Sequence, residues 1–212
     1  MLAIIDYGMG NLRSVYMAFR RLGVEAEVTS DPGVLAQAQA VVLPGVGAFG
    51  DAMGNLRSLG LVQPIREIIA DDTPLIGICL GLQLLFESSV EMGTHRGLGV
   101  LPGRVRRFPN SLTVPHMGWN QIHQARPIPL WRGLPDHAYA YFVHSYYVEP
   151  DDASVIAATT DYGIDYASVV ARGNLYGIQF HPEKSQTVGE RILRNWLIEC
   201  ALLPQDAAWE AA

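Results

Sequence analysis

Cysteine is scarce in this sequence, which contains only Cys79 and Cys200 among 212 residues. Two cysteines cannot form a disulfide framework or a four-cysteine metal site. We also expect no secretory signal, because residues 1–6 have no basic flank and an acid interrupts their apolar run. We therefore expect a cytoplasmic protein in which both thiols are free.

Long apolar runs and excess basic charge are absent as well. No stretch approaches the roughly 18 uninterrupted apolar residues that a membrane-spanning helix requires. Fifteen basic residues stand against twenty-one acidic ones, and the net charge of −6 disfavours nucleic acid and anionic lipid as partners. The composition is that of a globular protein, and the length fits one domain. We expect a single domain over residues 1–203 and a frayed tail over 204–212.

The first half of the chain alternates strand-like and helix-like segments. Residues 2–5, 25–29, 40–43 and 74–78 read as strands, and the first helix begins after Asn11, a plausible N-cap. A further helix is expected after Cys79, with Leu82, Leu85 and Phe86 on its apolar face. Such alternation, with continuously apolar strands, predicts a parallel sheet covered by helices on both sides.

From about residue 97 onward, strand-like pieces follow one another with turn residues between them. They predict antiparallel strands added to the parallel core, and a last helix is expected to start at a capping box formed by Thr187 and Glu190. The predicted fold class is α/β, with a mostly parallel central sheet flanked by helices and antiparallel strands in the second half. The predicted strands of this half span residues 104–108, 138–148, 155–160, 167–171 and 175–180.

The strongest functional signal is the segment Gly77-Ile78-Cys79-Leu80-Gly81, between an apolar strand and a helix. It has the pattern of a nucleophile elbow with cysteine in place of serine. Glycines relieve crowding in such a turn, and the helix N-terminus favours the thiolate. The N–H of Leu80 would point at an oxyanion formed there. An inert buried cysteine in a glycine-rich turn is the alternative interpretation.

A second signal is the pair His181 and Glu183, which ends the apolar run 175–180. In an extended segment, residues i and i+2 face the same way, so both side chains can approach one site. His181 could shuttle protons for the thiol while Glu183 orients and stabilises the imidazole. If the pair is considered without the elbow, the simpler explanation is a histidine that ends a strand beside a solvated glutamate. Together with the elbow, the pair indicates a catalytic role.

The loop from Gly45 to Gly50 formally matches G-x-G-x-x-G and suggests a dinucleotide site as a rival interpretation. Three features count against it. The loop follows the third strand instead of the first, Pro44 stiffens its entry, and no acid ends a strand about twenty residues later. A glycine-rich loop at a strand's carboxyl end can equally present N–H groups to an oxyanion.

The remaining histidines do not suggest a metal centre. They lack H-x-x-x-H or Cys–His spacing, so we predict neither a zinc site nor any cofactor. These histidines are His95, His116, His123, His137 and His144.

Taken together, these motifs resemble the class I, or triad, glutamine amidotransferases. Further segments resemble the branch of that family formed by the glutaminase subunits of imidazole glycerol phosphate synthase, and the likeness runs from about residue 2 to 200. Those segments are residues 5–12, Pro115-His116-Met117-Gly118-Trp119-Asn120, His144-Ser145-Tyr146 and Gln179-Phe180-His181-Pro182-Glu183-Lys184-Ser185.

The resemblance implies hydrolysis of glutamine to glutamate and ammonia by a Cys79–His181–Glu183 triad. Cys79 would form a glutamyl thioester, and the oxyanion would be held by the N–H groups of Leu80 and, after a loop rearrangement, Val46. Substrate-binding positions carried over by the resemblance are Gly47, Gln83, Glu91, Ser145 and Tyr146.

The resemblance also implies a partner, a cyclase subunit with a (β/α)8 barrel that receives the ammonia and makes imidazole glycerol phosphate in histidine biosynthesis. Asn11, Trp119, Tyr141 and Lys184 match positions that the family places towards this partner. Another class I glutaminase, such as that of pyridoxal phosphate synthase, is one alternative. A nucleotide-binding module built on Gly45–Gly50 is the other.

Overall fold

A computed structural model describes residues 1–205 of the chain. The predicted tail from residue 204 therefore lies almost entirely outside the described residues. Strands and helices alternate in the first half: β1 Leu2–Ile5, α1 Leu12–Arg21, β2 Ala26–Thr29, α2 Pro32–Ala36, β3 Ala40–Leu43, α3 Phe49–Ser58, α4 Val62–Ala70, β4 Leu75–Ile78 and α5 Leu80–Leu84. None of the helices in the described part is long and apolar enough to cross a bilayer.

Strands dominate the second half, which closes with one long helix. Short 3-10 turns also occur there, of which Pro182–Lys184 matters most for the site. The elements are β5 Phe86–Ser89, β6 His95–Arg96, β7 Leu101–Arg107, β8 His116–Gln124, β9 Ala138–His144, β10 Tyr146–Pro150, β11 Ile156–Asp161, β12 Asp165–Arg172, β13 Leu175–Ile178 and α6 Gln186–Glu199.

The central sheet has the order β2-β1-β3-β4-β13-β12-β10-β7-β5-β6. Neighbours from β2 to β13 are parallel, whereas β12, β10 and β7 are joined through antiparallel pairs. The β8–β9 hairpin is attached to the side of this sheet through β11. The predicted fold class, a mostly parallel α/β sheet extended by antiparallel strands, is confirmed.

Both faces of the parallel strands are buried, which explains their continuous apolar sequences. Along β1, Leu2 and Ile4 belong to one hydrophobic cluster, while Ala3 and Ile5 belong to a second cluster. Successive side chains of a strand point to opposite faces, so a strand covered on both sides must be apolar at every position. Every residue of β1, β3 and β4 is indeed buried.

The first helix begins as the sequence predicts. The side-chain oxygen of Asn11 accepts a hydrogen bond from the N–H of Ser14 at 3.3 Å, which satisfies one of the free donors of the first turn. Gly23 follows the end of the helix at a φ of +82°, a conformation that favours glycine.

Several local predictions are wrong. The helix after Cys79 is only five residues long, so Phe86 lies in β5 and not on the helix face. The segment 138–148 is two strands, β9 and β10, that belong to different parts of the sheet. The helix α6 begins at Gln186 after Ser185, one residue before Thr187, and no side chain caps it.

Two glycines allow the sharp turn between β4 and α5. A Cβ on Gly77 would lie 2.8 Å from the carbonyl carbon and oxygen of Gly81, and one on Gly81 would run into the carbonyl oxygen of Leu43 at the end of β3. The obstacles are backbone atoms, which cannot rotate away as a side chain would. The turn can therefore pack against β3 only if both positions lack a side chain.

We predict that Gly81→Ala lowers the free energy of unfolding by about 2 kcal/mol or more, since overpacking against fixed backbone typically costs 1–3 kcal/mol. Urea unfolding measures this change. Gly54→Ala is the matched control, because a Cβ there meets nothing within 4 Å in the middle of the exposed face of α3. It should be neutral or stabilising. Equal effects of the two substitutions would contradict the packing explanation.

Candidate active site

Cys79 occupies the turn between β4 and α5 in a strained backbone conformation, with a φ of +55° and a ψ of −108°. Residues other than glycine adopt such angles only where the surrounding structure enforces them, often at functional sites. The residue is only 6% exposed and lines the cleft above the sheet edge. The geometry is that of a nucleophile elbow.

His181 and Glu183 come together at the carboxyl end of β13, next to β4. Nδ1 of His181 is 2.8 Å from Oε1 of Glu183, and the two side chains are 3% and 2% exposed. Their proximity does not come from an extended segment, as the sequence suggested, because Pro182 opens a 3-10 turn that carries Glu183. A carboxylate can only accept, so Nδ1 carries the proton and Nε2 is left to exchange one with the thiol.

The charged form of His181 is favoured by its neighbours. Burial alone disfavours the imidazolium, but the negative charges of Cys79 and Glu183, together with the hydrogen bond to Glu183, outweigh this effect and hold the pKa of His181 above its usual value. An imidazolium that faces a thiolate is the charge distribution that a cysteine nucleophile requires.

A cleft of about 280 Å³ joins these groups to solvent. The structure brings together the predicted catalytic, oxyanion and substrate-binding positions around it, while Glu183 lies behind His181. The cleft also includes three residues that sequence reasoning did not select, Pro115, Val143 and His144. Its predicted lining residues are Val46, Gly47, Cys79, Leu80, Gln83, Glu91, Ser145, Tyr146 and His181.

The glycine-rich loop closes one side of the cleft, which Val46 and Gly47 line. The N–H of Leu80 donates to the carbonyl oxygen of Gly45 at 3.3 Å. The carbonyl of the Gly45–Val46 peptide therefore points at Leu80, and in a trans peptide the N–H of Val46 points the opposite way. In this arrangement the N–H of Leu80 is occupied and the N–H of Val46 is turned from the position of an oxyanion.

The buried Tyr7 anchors this loop from below, and sequence reasoning gave it no role. Its hydroxyl donates to the carbonyl oxygen of Pro44 at 2.8 Å. Burial, and then the nearby Cys79, raise the pKa of Tyr7 above its ordinary value, so it stays a neutral donor. In the sequence, Tyr7 stood out only as part of the segment 5–12 that carries the family resemblance.

Two predicted substrate-binding side chains also have structural partners. Nε2 of Gln83 donates to the carbonyl oxygen of Tyr146 at 3.0 Å and to Oε1 of Gln179 at 3.2 Å. Oε2 of Glu91 accepts from the N–H of Phe49 at 2.7 Å, which fixes the carboxylate at the start of α3. Both N–H groups of Gln83 are used, so its carbonyl oxygen is the polar atom it can offer a ligand.

A buried histidine pair supports the wall of the cleft at Tyr146. Nδ1 of His144 is 2.8 Å from the carbonyl oxygen of Tyr146, which can only accept, so Nδ1 carries the proton. Nε2 of His144 then accepts from Nδ1 of His116 at 3.1 Å, and Nε2 of His116 accepts from the amide of Asn120 at 3.3 Å. Burial lowers the pKa of His116 to about 4 and that of His144 to about 3.

Three of the four predicted partner-facing residues form one surface cluster. Trp119 on β8 is 47% exposed, and its ring centre lies 6.0 Å from that of Tyr141 on β9. The ammonium of Lys184 lies 5.9 Å from the centre of the Tyr141 ring, a cation–π distance. Asn11, which is exposed, caps α1.

An exposed group of His123, Asp136 and His137 offers three possible metal ligands, although their spacing in the sequence did not suggest it. Nδ1 of His123 is 3.1 Å and Nε2 of His137 is 3.5 Å from Oδ2 of Asp136. The two rings are stacked, with 25° between their planes. Imidazole binds a metal in its ring plane, so nearly parallel rings do not converge on one ion. The arrangement fits polar contacts between side chains at the surface.

The model of the family "Glutamine amidotransferase class-I" matches residues 3–200. The chain therefore belongs to the class I glutamine amidotransferase family.

Solved structures agree with this assignment at the level of the fold. One described as "Crystal structure of glutamine amidotransferase" has a TM-score of 0.74 and 23% identity, covering 95% of this chain and 99% of its own. "Structure of PurLQS from Thermotoga maritima" also gives a TM-score of 0.74, at 17% identity, with 93% of this chain and 97% of that chain covered.

Curated relatives place the chain within a narrower group. The protein of Syntrophotalea carbinolica is 56% identical, over 92% of this chain and 98% of its own length. The protein of Moorella thermoacetica is 55% identical, over 92% of this chain and 93% of its own length. Both are named "Imidazole glycerol phosphate synthase subunit HisH". At this similarity the chain is a member of the HisH branch of the family.

We predict that the histidine pair makes the protein less stable in acid. The unfolded chain protonates His144 near pH 6.5, whereas the folded chain resists protonation down to about pH 3. The unfolded state therefore binds more protons in this window, and stability falls as the pH decreases, by up to about 1.4 kcal/mol per pH unit.

His144→Asn tests this prediction, because its amide can still donate to Tyr146 and does not titrate. Between pH 7 and pH 5 the parent protein should lose about 2 kcal/mol more free energy of unfolding than the variant. Denaturant titrations at the two pH values measure the difference. Identical losses would show that His144 is not held neutral.

Proposed function

We propose that this chain is the glutaminase subunit of an imidazole glycerol phosphate synthase and that it hydrolyses L-glutamine to L-glutamate and ammonia. The observation that carries the proposal is the buried His181–Glu183 pair beside a strained Cys79 at the floor of one cleft. Homology to HisH subunits supports this synthase over another class I glutaminase, such as that of pyridoxal phosphate synthase.

In the proposed reaction, His181 takes the thiol proton of Cys79 through Nε2. The thiolate attacks the side-chain amide carbon of glutamine, a C–S bond forms, and the C–N bond breaks as the imidazolium protonates the leaving ammonia. His181 then removes a proton from water, which attacks the thioester, and glutamate leaves as sulfur departs. Glu183 holds the imidazole and stabilises its charged form.

Glutamine recognition is proposed to use the positions around the same cleft. The Glu91 carboxylate offers negative charge to the α-ammonium group, and the carbonyl oxygen of Gln83 can accept a hydrogen bond. Gly47 and the backbone of Ser145 and Tyr146 complete the wall that faces the ligand. The α-ammonium is the only cationic group of glutamine, which is why an acid is required.

The oxyanion hole is proposed to form only when the loop rearranges. Turning the Gly45–Val46 peptide would free the N–H of Leu80 and aim the N–H of Val46 into the cleft. Gly47, at a φ of +102°, gives the loop a neighbour able to absorb such a change. With the Gly45 carbonyl directed at Leu80, the chain would therefore be a poor glutaminase.

The partner is proposed to be a cyclase subunit with a (β/α)8 barrel, which receives the ammonia instead of solvent. Asn11, Trp119, Tyr141 and Lys184 would face it. A main-chain hydrogen bond links this surface to the active site, because the carbonyl oxygen of Tyr141 accepts from the N–H of His181 at 2.9 Å. A surface that touches Tyr141 is thus one hydrogen bond from the catalytic histidine.

We predict that Cys79→Ser abolishes glutamine-dependent synthesis by the assembled enzyme and leaves synthesis from added ammonium intact. An electrophilic glutamine analogue should label Cys79 alone. Burial, and then the charge of Glu199, raise the pKa of Cys200 to about 12, which keeps that thiol protonated and unreactive. Mass spectrometry locates the label. An active serine variant, or stoichiometric labelling of Cys200, would contradict the assignment.

We predict that the partner switches the glutaminase on. Losing one oxyanion donor costs about 10²–10³ in rate, so the chain alone should turn over glutamine at least that much more slowly than the complex with its ribonucleotide substrate. Ammonia release is measured for the chain alone, with the cyclase, and with cyclase plus ribonucleotide. Equal rates in all three conditions would exclude a switch.

A further inference from the structure

Gln179 is a buried polar side chain that has no role in the reaction outlined above. It directly follows β13 and has no exposed surface. Its side-chain Nε2 lies 3.7 Å from Sγ of Cys79, and its Oε1 lies 3.2 Å from Nε2 of Gln83. A buried amide is costly unless both of its ends find partners, so these two contacts account for why the group is tolerated there.

The direction of these hydrogen bonds is fixed by the main chain. The carbonyl oxygen of Tyr146 can only accept, so the amide group of Gln83 that faces it must be the nitrogen. The same nitrogen faces Gln179, so the Gln179 atom opposite must be the oxygen. The nitrogen of Gln179 is then the atom left for the sulfur. Amide orientation, otherwise interchangeable, is here determined by the network.

We propose that Gln179 is a further catalytic residue of the glutaminase site, whose side-chain N–H donates a hydrogen bond to the sulfur of Cys79 and stabilises its thiolate. This inference rests on the proposed role of Cys79 as the nucleophile. Hydrogen bonds to charged groups are about twice as strong as neutral ones, so the contact gains strength when the sulfur carries charge. His181 supplies the opposite charge, and Gln179 supplies an uncharged donor.

The hydrogen bond from Gln179 to the sulfur acts in two steps, the formation of the thiolate and its departure from the thioester. It favours loss of the thiol proton to Nε2 of His181 before attack, and it weakens once the sulfur is bound to the acyl carbon. When water attacks the thioester, the C–S bond breaks and the electron pair returns to sulfur. The N–H of Gln179 then stabilises the departing thiolate again.

A purely structural role for Gln179 makes a different prediction. If its only task were to hold Gln83, its replacement would weaken glutamine binding and leave the chemistry of the sulfur unchanged. The pH dependence of Cys79 alkylation separates the two roles, because it reports the thiolate and needs no substrate.

The test measures the rate of Cys79 alkylation by iodoacetamide against pH in the full chain. Gln179→Met keeps the length of the side chain and removes the donor, and the midpoint of the profile should rise by about one pH unit. Gln83→Met is the matched control. It removes the amide that orients Gln179, but a thiolate accepts only from an N–H and therefore keeps the nitrogen of Gln179 towards the sulfur. Its midpoint should stay near that of the parent protein while the KM for glutamine rises.

A second measurement keeps the test independent of any Gln179 variant. In the parent chain, the side-chain N–H resonances of Gln179 should follow the titration of Cys79 and should shift when that thiol is alkylated. An unchanged midpoint in Gln179→Met, or resonances that ignore alkylation, would overturn the role of Gln179 alone. A Cys79→Ser chain that still hydrolyses glutamine would instead overturn the proposed function itself.

Discussion

The close approach of the β4–α5 turn to the end of β3 is the constraint on which the site depends. Gly81 lies against the carbonyl of Leu43, and Gly77 lies against Gly81 itself, so no side chain fits at either place. This packing forces Cys79 into its strained conformation and lifts the thiol above the sheet edge. Because β13 is the parallel neighbour of β4, the residues after it arrive beside the sulfur.

A second feature of the site is the fixed direction of its hydrogen bonds. The carbonyl oxygen of Tyr146 accepts from both His144 and Gln83. From this shared acceptor, one series of donors runs back through His116 to the β8 strand, and the other runs through Gln179 to the thiol. The carbonyl oxygen of Tyr146 can only accept hydrogen bonds. It therefore determines the orientation of the amides and imidazoles in both series.

The elements that the sequence predicted well were those whose signal is local. The apolar runs of β1, β3 and β4, the cap at Asn11 and the elbow glycines each reflect a steric or hydrogen-bonding requirement within a few residues. The predictions failed where contacts with segments distant in the sequence decide the secondary structure. Phe86 is in a strand because β7 pairs with it, and β8 was missed because its exposed face carries mixed polar and aromatic residues without clear alternation.

The sequence by itself determined the class of fold and the types of residue available for chemistry, because buried parallel strands and a nucleophile elbow have strict local patterns. Only the tertiary structure decided how these residues meet. Gln179 touches Cys79 from 100 positions away, and His144 supports Tyr146 because a hairpin packs against the sheet. The inward carbonyl of Gly45 also belongs to the folded loop alone. Contacts between distant segments depend on packing, which no local pattern records.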